Sequence, residues 1–490
     1  MLNRLLILLA ACLVTATAGA DPHRHLPDIG SPADTVFTRG QAAAIGRSIL
    51  HQLRQQGSVL EDPEIADYIV TLGHRIAVHA HEGDQSFEFF VVNDDAINAF
   101  ALPGGFIGIN TGLVTATRSE SELAGVLAHE IAHVTQKHIA RRISATGRTS
   151  ILATAAVLAA IMLGAGGDMI PAAIMSAQGI AVQEQINYTR SNEYEADRVG
   201  LHFLAEAGFD PMGMPSFFEV LSREGGAPGS RVPEFLQTHP LSSARIAETR
   251  DRAERTESRE VYESPAYALM RARIRVLNAR SDDDALARFR ADLEREGERA
   301  SPATRYGWGL ALVRARRYTE AIPVLERLRD ENEATVVFHS ALGEALILAG
   351  RHADGLAVFD QAGRLFPRNR PLTVRYAEAL IRTGHFDEAH ALLLDLFNNV
   401  RPTPPQVRLI ANAADAAGLT AEALYYMSEY HLLTGQLPMA LEKLRLALLE
   451  PDLQPWQRAR FEARVAELEP FLNERRAGRS RTDNDSNKQR

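Results

Sequence analysis

The chain has 490 residues, 46% hydrophobic and 23% charged, with a formal net charge of −9. That length calls for more than one domain, and the composition is that of ordinary globular protein, not of a disordered or fibrous chain. The acidic balance argues against a generic nucleic-acid surface, so no nucleic-acid partner is expected.

Residues 1–20 read as a secretory signal. Arg4 forms a short basic start, Leu5 to Val14 is apolar, and Ala18-Gly19-Ala20 fits a small-residue cleavage site. Removal of this signal peptide predicts a soluble periplasmic protein. Cys12, the one cysteine, lies inside that segment, so the mature chain has no disulfide to form. Leu9-Ala10-Ala11-Cys12 also resembles a lipobox, which makes a lipid anchor at Cys12 the alternative. Residues 21–40 read as irregular. From Gly40 to Ala80 the apolar period is helical, broken at Asp62-Pro63. His74, His79 and His81 cluster there without a carboxylate at ligand spacing and read as exposed polar residues. Phe87 to Val92 is a predicted strand, and Ala96–Leu102 and Phe106–Asn110 flank a hairpin turn at Pro103-Gly104-Gly105.

Leu123 to His138, LAGVLAHEIAHVTQKH, contains the arrangement that dictates a chemistry. Ser119, three residues before Glu122, predicts a capped helix start, and Leu123, Val126, Leu127 and Ile131 supply an apolar stripe. Four residues apart on a helix, His129 and His133 stand one above the other, about 5–6 Å between Cβ atoms. That bite suits one tetrahedral Zn²⁺. Glu130 is rotated by about 100° from His129, beside the metal, where it can accept a proton from the attacking water. The plain alternative is a chance HxxxH on a surface helix. A second helix is predicted at Asn192-Glu193-Tyr194-Glu195-Ala196-Asp197, with Asn192 as its cap. Glu193 and Asp197 share a face with the small Ala196 and Gly200, which permit close approach to the first helix. This assigns Glu193 as third metal ligand and Asp197 as the carboxylate that orients a ligating histidine. Between the two helices, 151–182 is apolar but rich in Ala and Gly and interrupted by Asp168 and Pro171. It reads as a buried helical hairpin, with peripheral membrane contact as the alternative.

Asn98 to Gly105, HEIAHVTQKH, NEYEAD, then Thr238-His239-Pro240-Leu241 and Arg245 together resemble the M48 zinc metallopeptidases, over roughly residues 90 to 245. The resemblance implies an α+β zincin-like metallopeptidase domain, mostly helical with a small β-sheet, and one zinc per chain. It implies that His239, behind the Gly-rich stretch Gly225 to Ser230, comes to the zinc. There it is either a fourth ligand that switches the enzyme off at rest or a helper that hydrogen-bonds the oxyanion. Arg245 is carried over as a helper near the site. The same resemblance makes Asn98, Ala99, Phe100 and Ala101 an edge strand that binds substrate by strand addition.

From about Tyr262 the chain is predicted all-α. Ala321, Gly355, Ala389 and Ala423 are spaced by 34, as are Gly309, Gly343, Ala377 and Ala411, with Gly350, Gly384 and Gly418 at turns. That is the tetratricopeptide period, and such arrays stack into a superhelix with a concave binding face. A further copy at Leu437-Pro438-Met439-Ala440 is half a repeat out of register. Domains are thus expected at 21–255 (peptidase) and 262–475 (repeats), with a disordered polar tail at 476–490. The peptidases of this resemblance that carry such repeats imply periplasmic quality control of outer-membrane β-barrel proteins. Unfolded or misassembled outer-membrane proteins would be the substrates and the outer-membrane assembly machinery a partner of the repeats, with chaperone-like help beside cleavage. The rival functions are a peptidase-inactive scaffold and a membrane-associated peptidase of general envelope proteolysis.

Overall fold

The computed structural model describes residues 38–80, 85–141, 190–226, 233–256, 261 and 263–488, with side chains through 471. The signal sequence with Cys12, His81, most of the Gly225–Ser230 stretch and the apolar segment 151–182 lie outside the described residues. Among those described, no helix is long and apolar enough to cross a membrane.

Two helices open the fold. Helix α1 (Arg39–Gln55) starts with a capping box between Thr38 and Gln41, and α2 (Pro63–Ala77) is capped by Asp62 with proline in its first turn. A three-stranded sheet follows, of β1 (Glu88–Val92), β2 (Ala99–Leu102) and β3 (Phe106–Asn110). Its order is β1-β3-β2, with β1 parallel and β2 antiparallel to β3. Leu102 pairs with Phe106, so Pro103-Gly104-Gly105 is the predicted hairpin loop. Gly104 and Gly105 have φ of 85° and 86°, and a Cβ on Gly105 would lie 2.1 Å from the Ser86 carbonyl oxygen. Strand alternation then sorts the faces. Phe90, Phe100, Leu102 and Phe106 pack with α1, whereas Phe89, Val91, Ala99, Ala101, Ile107 and Ile109 join the main core.

After α3 (Thr111–Ala116) comes α4 (Glu120–Thr135), which carries both motif histidines. Its predicted apolar stripe understates it: every residue except Val134 is buried. A helix covered on all sides needs small residues where its neighbours cross. The backbone of α6 (Gly213–Gly226) passes against Gly125, and Gly200 of α5 (Arg190–Glu206) lies against Ala128 and His129. Because α5 already includes Arg190, Asn192 sits within the helix and does not cap it. Short α7 (Glu234–Thr238) and α8 (Ser243–Arg255, capped by Ser242) complete this half.

Thirteen-residue α9 (Pro265–Leu277) and then α10 (Asp282–Glu296) precede the regular array. First helices α11 (Pro302–Arg314), α13 (Val336–Leu348), α15 (Arg370–Arg382) and α17 (Pro404–Ala416) alternate with α12 (Tyr318–Glu331), α14 (His352–Leu365), α16 (Phe386–Asn399) and α18 (Thr420–Leu433). Each series starts every 34 residues. Gly309 faces Leu325 and Gly343 faces Phe359 so closely that a Cβ would clash, which explains glycine at these two places in the phase. Helix α19 (Leu437–Ala447) accounts for the half-repeat offset. Gly435 (φ 78°) joins it to α18 by the same left-handed turn that Gly350, Gly384 and Gly418 place after first helices. Helix α18 is thus both the second helix of one pair and the first of the next. The last helix, α20 (Pro455–Lys488), runs through the segment expected to be disordered. Glu, Arg and Ala between 474 and 477 are good helix formers and prolong a helix already anchored by buried Phe461 and Leu468.

The two halves share one core across 256–262. One core cluster runs from Ile65 to Leu346, and α9 contributes Tyr267, Met270 and Ile274 to it. The Tyr267 hydroxyl donates to Thr117 Oγ1 at 3.0 Å, and the Ser264 amide donates to the Glu120 carboxylate at 2.6 Å. Further along the array, Arg375 of α15 and Arg273 of α9 converge on Asp62 and Glu64 at the start of α2, with 2.8 Å contacts from Arg273 to Asp62 and from Arg375 to Glu64. Burial alone would raise the Asp62 pKa, but Arg273 and Arg375 outweigh it and hold the carboxyl at about 2. Its folded pKa lies below the unfolded value of 3.8, so its contribution is fully present above pH 3.8 and is lost as pH falls towards 2. Arg375→Ala leaves buried carboxylates underneutralised, and a loss of about 3–5 kcal/mol is expected at neutral pH. Urea unfolding of the variant against wild type at pH 7 measures it. An unchanged midpoint would mean the cluster does not hold the halves together.

Candidate active site

Helix α4 presents His129 and His133 on one face, and α5 crosses it closely enough for Glu193 to reach both. His239, the residue that ends α7, arrives from the other side. Four ligand atoms converge: Nε2 of His129 and His133, a Glu193 carboxylate oxygen and Nδ1 of His239. The two Nε2 atoms are 3.0 Å apart, His239 Nδ1 is 3.4 Å from His129 Nε2 and 3.3 Å from Glu193, and Glu193 lies 3.5 Å from His129 through Oε2 and 3.5 Å from His133 through Oε1. A tetrahedral ion with arms near 2.0–2.1 Å separates its ligand atoms by about 3.3 Å. All four residues are buried and form a possible metal site. The opposite ring nitrogens support this fit: His129 Nδ1 lies 3.0 Å from Asp197 Oδ1, and His133 Nδ1 lies 2.8 Å from His138 Nδ1. With those outer nitrogens facing their own partners, both Nε2 atoms are turned to the cluster, where a cation would accept them as ligands.

The surrounding charges hold this set in place. Arg245, at the start of α8, forks onto Asp197 (Nη2 to Oδ1, 2.7 Å) and reaches Glu193 with Nη1 at 2.8 Å. Burial works against ionisation of both carboxylates. The histidines nonetheless hold Glu193 well below the usual carboxylate range, and Arg245 lowers Asp197. Burial also opposes the charged form of His129, yet Asp197 and Glu193 raise its pKa to about 9, while burial pushes His133 well down. Glu130 is buried beside the cluster and not among its ligand atoms, with Oε1 3.4 Å from His239 Nε2. His239 is held by its own amide, which donates to the Phe235 carbonyl at 2.8 Å, and by stacking on the Phe235 ring.

Residues 63–253 match the model of peptidase family M48, and residues 346–413 match a tetratricopeptide repeat. The chain is 31% identical over 469 residues to a β-barrel assembly-enhancing protease of Escherichia coli, covering 95% of this chain and 96% of that one. Its namesake from Yersinia pestis is 32% identical, with 92% of both chains covered. The chain belongs to peptidase family M48. A mitochondrial metalloendopeptidase of Arabidopsis thaliana is also similar, 30% identical over 219 residues, covering 44% of this chain and 42% of that one. With the ligand cluster in place, this M48 protein is a metalloendopeptidase followed by tetratricopeptide repeats, the α+β and all-α combination expected.

Of the residues singled out from sequence, His129, Glu130, His133, Glu193, Asp197, His239 and Arg245 come together. The side chains of the edge strand are packed on both faces. Although β2 is an edge of the sheet, Ala99, Phe100 and Ala101 are at most 2% exposed, and Asn98 is buried as well. Phe100 packs towards α1 and Ala99 and Ala101 into the main core, while α7 touches the chain just ahead of the strand, its Phe235 amide donating to the Ile97 carbonyl at 3.2 Å. His138 was missed as a site residue. It stood inside the HEIAHVTQKH run, but only the fold brings it back onto His133. The exposed reading of the N-terminal histidines fits His74, whereas His79 is half-buried.

Proposed function

We propose that this metalloendopeptidase uses zinc, works in the periplasm, and acts on outer-membrane β-barrel proteins that have failed to assemble, with chaperone-like help from its repeats. The observation that carries the proposal is the convergence of three imidazoles and a carboxylate whose ligand atoms lie within 4.8 Å of one another. It occurs in a chain that aligns over 92% and 95% of its length with relatives named β-barrel assembly-enhancing protease. The signal-like start supports export, and the superhelix supports recruitment of substrate or of the assembly machinery. His129, His133 and Glu193 would hold the zinc, which supplies Lewis acidity towards a peptide carbonyl and a more acidic water. Asp197 and Arg245 orient the ligands. Glu130 accepts the water's proton and delivers it to the leaving amine.

His239 is best read as the switch. Its Nδ1, 3.4 Å from His129 Nε2 and 3.3 Å from Glu193, would fill the fourth position around a bound zinc, whereas a catalytic zinc site keeps one position open. The short helix that ends in His239 also hydrogen-bonds the Ile97 carbonyl just ahead of β2, so one displacement would free both the metal position and the approach to that strand. Purified His239→Ala with full zinc content should therefore cleave peptide faster than wild type. Were His239 an oxyanion donor instead, the rate would fall by ~10²–10³. Incubating the wild-type enzyme with an unfolded outer-membrane barrel protein and with casein tests the substrate class. Casein cut as readily as the barrel protein would count against it.

A further inference from the structure

His129 and His133 stand on one helix and aim the same ring nitrogen at the ligand cluster, yet their outer nitrogens meet different partners. Asp197 Oδ1 faces His129 Nδ1 at 3.0 Å. His133 Nδ1 instead meets another imidazole, His138 Nδ1, at 2.8 Å. His138 is fully buried, its Nε2 lies 3.2 Å from Glu195 Oε2, and Arg141 Nη2 donates to that same oxygen at 2.7 Å.

Bringing His138 back over His133 requires the chain to leave its helical path just after α4. Lys137 does this with φ 53°, a left-handed conformation that a side-chain-bearing residue adopts rarely. Such backbone persists where the surroundings over-determine it. The protons then follow from the geometry. With His133 Nε2 turned to the cluster as an acceptor, its Nδ1 carries hydrogen and donates to His138 Nδ1. His138 must hold its own hydrogen on Nε2 and donates it to Glu195. Helix α5 thus supplies three carboxylates to this centre: Glu193 to the ligand cluster, Asp197 behind His129, and Glu195 behind His133 by way of His138.

Resting on the metal-site reading above, we propose that His138 is a positioning residue: anchored by Glu195 and Arg141, it fixes the ring orientation and tautomer of His133. It does for His133 what Asp197 does for His129, through one intervening imidazole. Partners of this kind commonly change metal affinity by 10–100-fold when removed.

The test uses the full-length protein and zinc alone as probe, measured by chelator competition, with cobalt(II) substituted for the spectrum. His138→Leu should weaken zinc binding by about 10–100-fold and shift the visible cobalt bands, while the metal-free melting temperature stays at the wild-type value. His138→Gln keeps an acceptor and a donor on the side chain and should recover most of the affinity. Should His138→Leu fail to fold, Glu195→Ala breaks the same chain at a partly exposed residue and should move zinc affinity and cobalt bands in the same direction, by less. Wild-type affinity and spectrum in the Leu variant, or in Glu195→Ala where it stands in, would overturn the assignment and leave the metal site intact. So would a Leu variant whose metal-free stability falls with its affinity and which Gln does not rescue. A wild-type protein that binds no zinc would overturn the metal-site reading itself, and this assignment with it.

Discussion

Glu130→Gln should retain one zinc per chain and lose proteolysis by ~10²–10⁴. Its carboxylate is buried beside the ligand cluster and contributes no ligand atom. Glutamine preserves its shape but cannot accept the proton. The contrast is with His129→Ala and Glu193→Ala, which remove ligand atoms and should lose the metal together with the activity. Metal analysis alongside casein cleavage separates the two cases. Cleavage by Glu130→Gln at the wild-type rate would remove Glu130 from the mechanism. The same variant should hold uncut substrate in a pull-down from envelope extract, which makes it the direct route to the physiological substrate.

Truncation after residue 261 should leave a peptidase half that does not fold. Spacing alone suggested the opposite, since the repeat pattern begins near 262. In the structure, α9 buries Tyr267, Leu269, Met270, Ile274 and Val276 in the shared core. At roughly 1.5–3 kcal/mol for each buried large side chain, their loss is comparable to the whole stability of a typical domain. Arg273 would leave as well, stripping Asp62 and Glu64 of a buried counter-charge. Circular dichroism and zinc content of 21–261 provide the measurement. A cooperative melt with one bound zinc would show that the continuous core is dispensable and that the peptidase is an independent unit.

The sequence by itself determined whatever depends on backbone periodicity. Two histidines four apart on a helix must share a face, so His129 and His133 were legible as a metal bite and Glu130 as their neighbour. Small residues every 34 positions must recur at the same helix crossing, so the repeat starts at Pro302, Val336, Arg370 and Pro404 follow the expected phase. Asp62-Pro63 marks a helix start because a capping carboxylate and a first-turn proline act locally. His239 and Arg245 came from family likeness and not from any local rule. Only the tertiary structure decided the rest. His138 reaches His133 because Lys137 turns left-handed, which no period encodes. Asp62 meets Arg375 across 313 positions of chain, and α9 joins the peptidase core although its helical pattern fits the repeats equally well. Ala99 to Ala101 are buried because α1 and the main core pack on the two faces of their strand, so their exposure depends on other elements' positions and not on their own alternation. A local pattern sets which face a residue occupies; what that face meets is fixed by the packing of elements far apart in the chain.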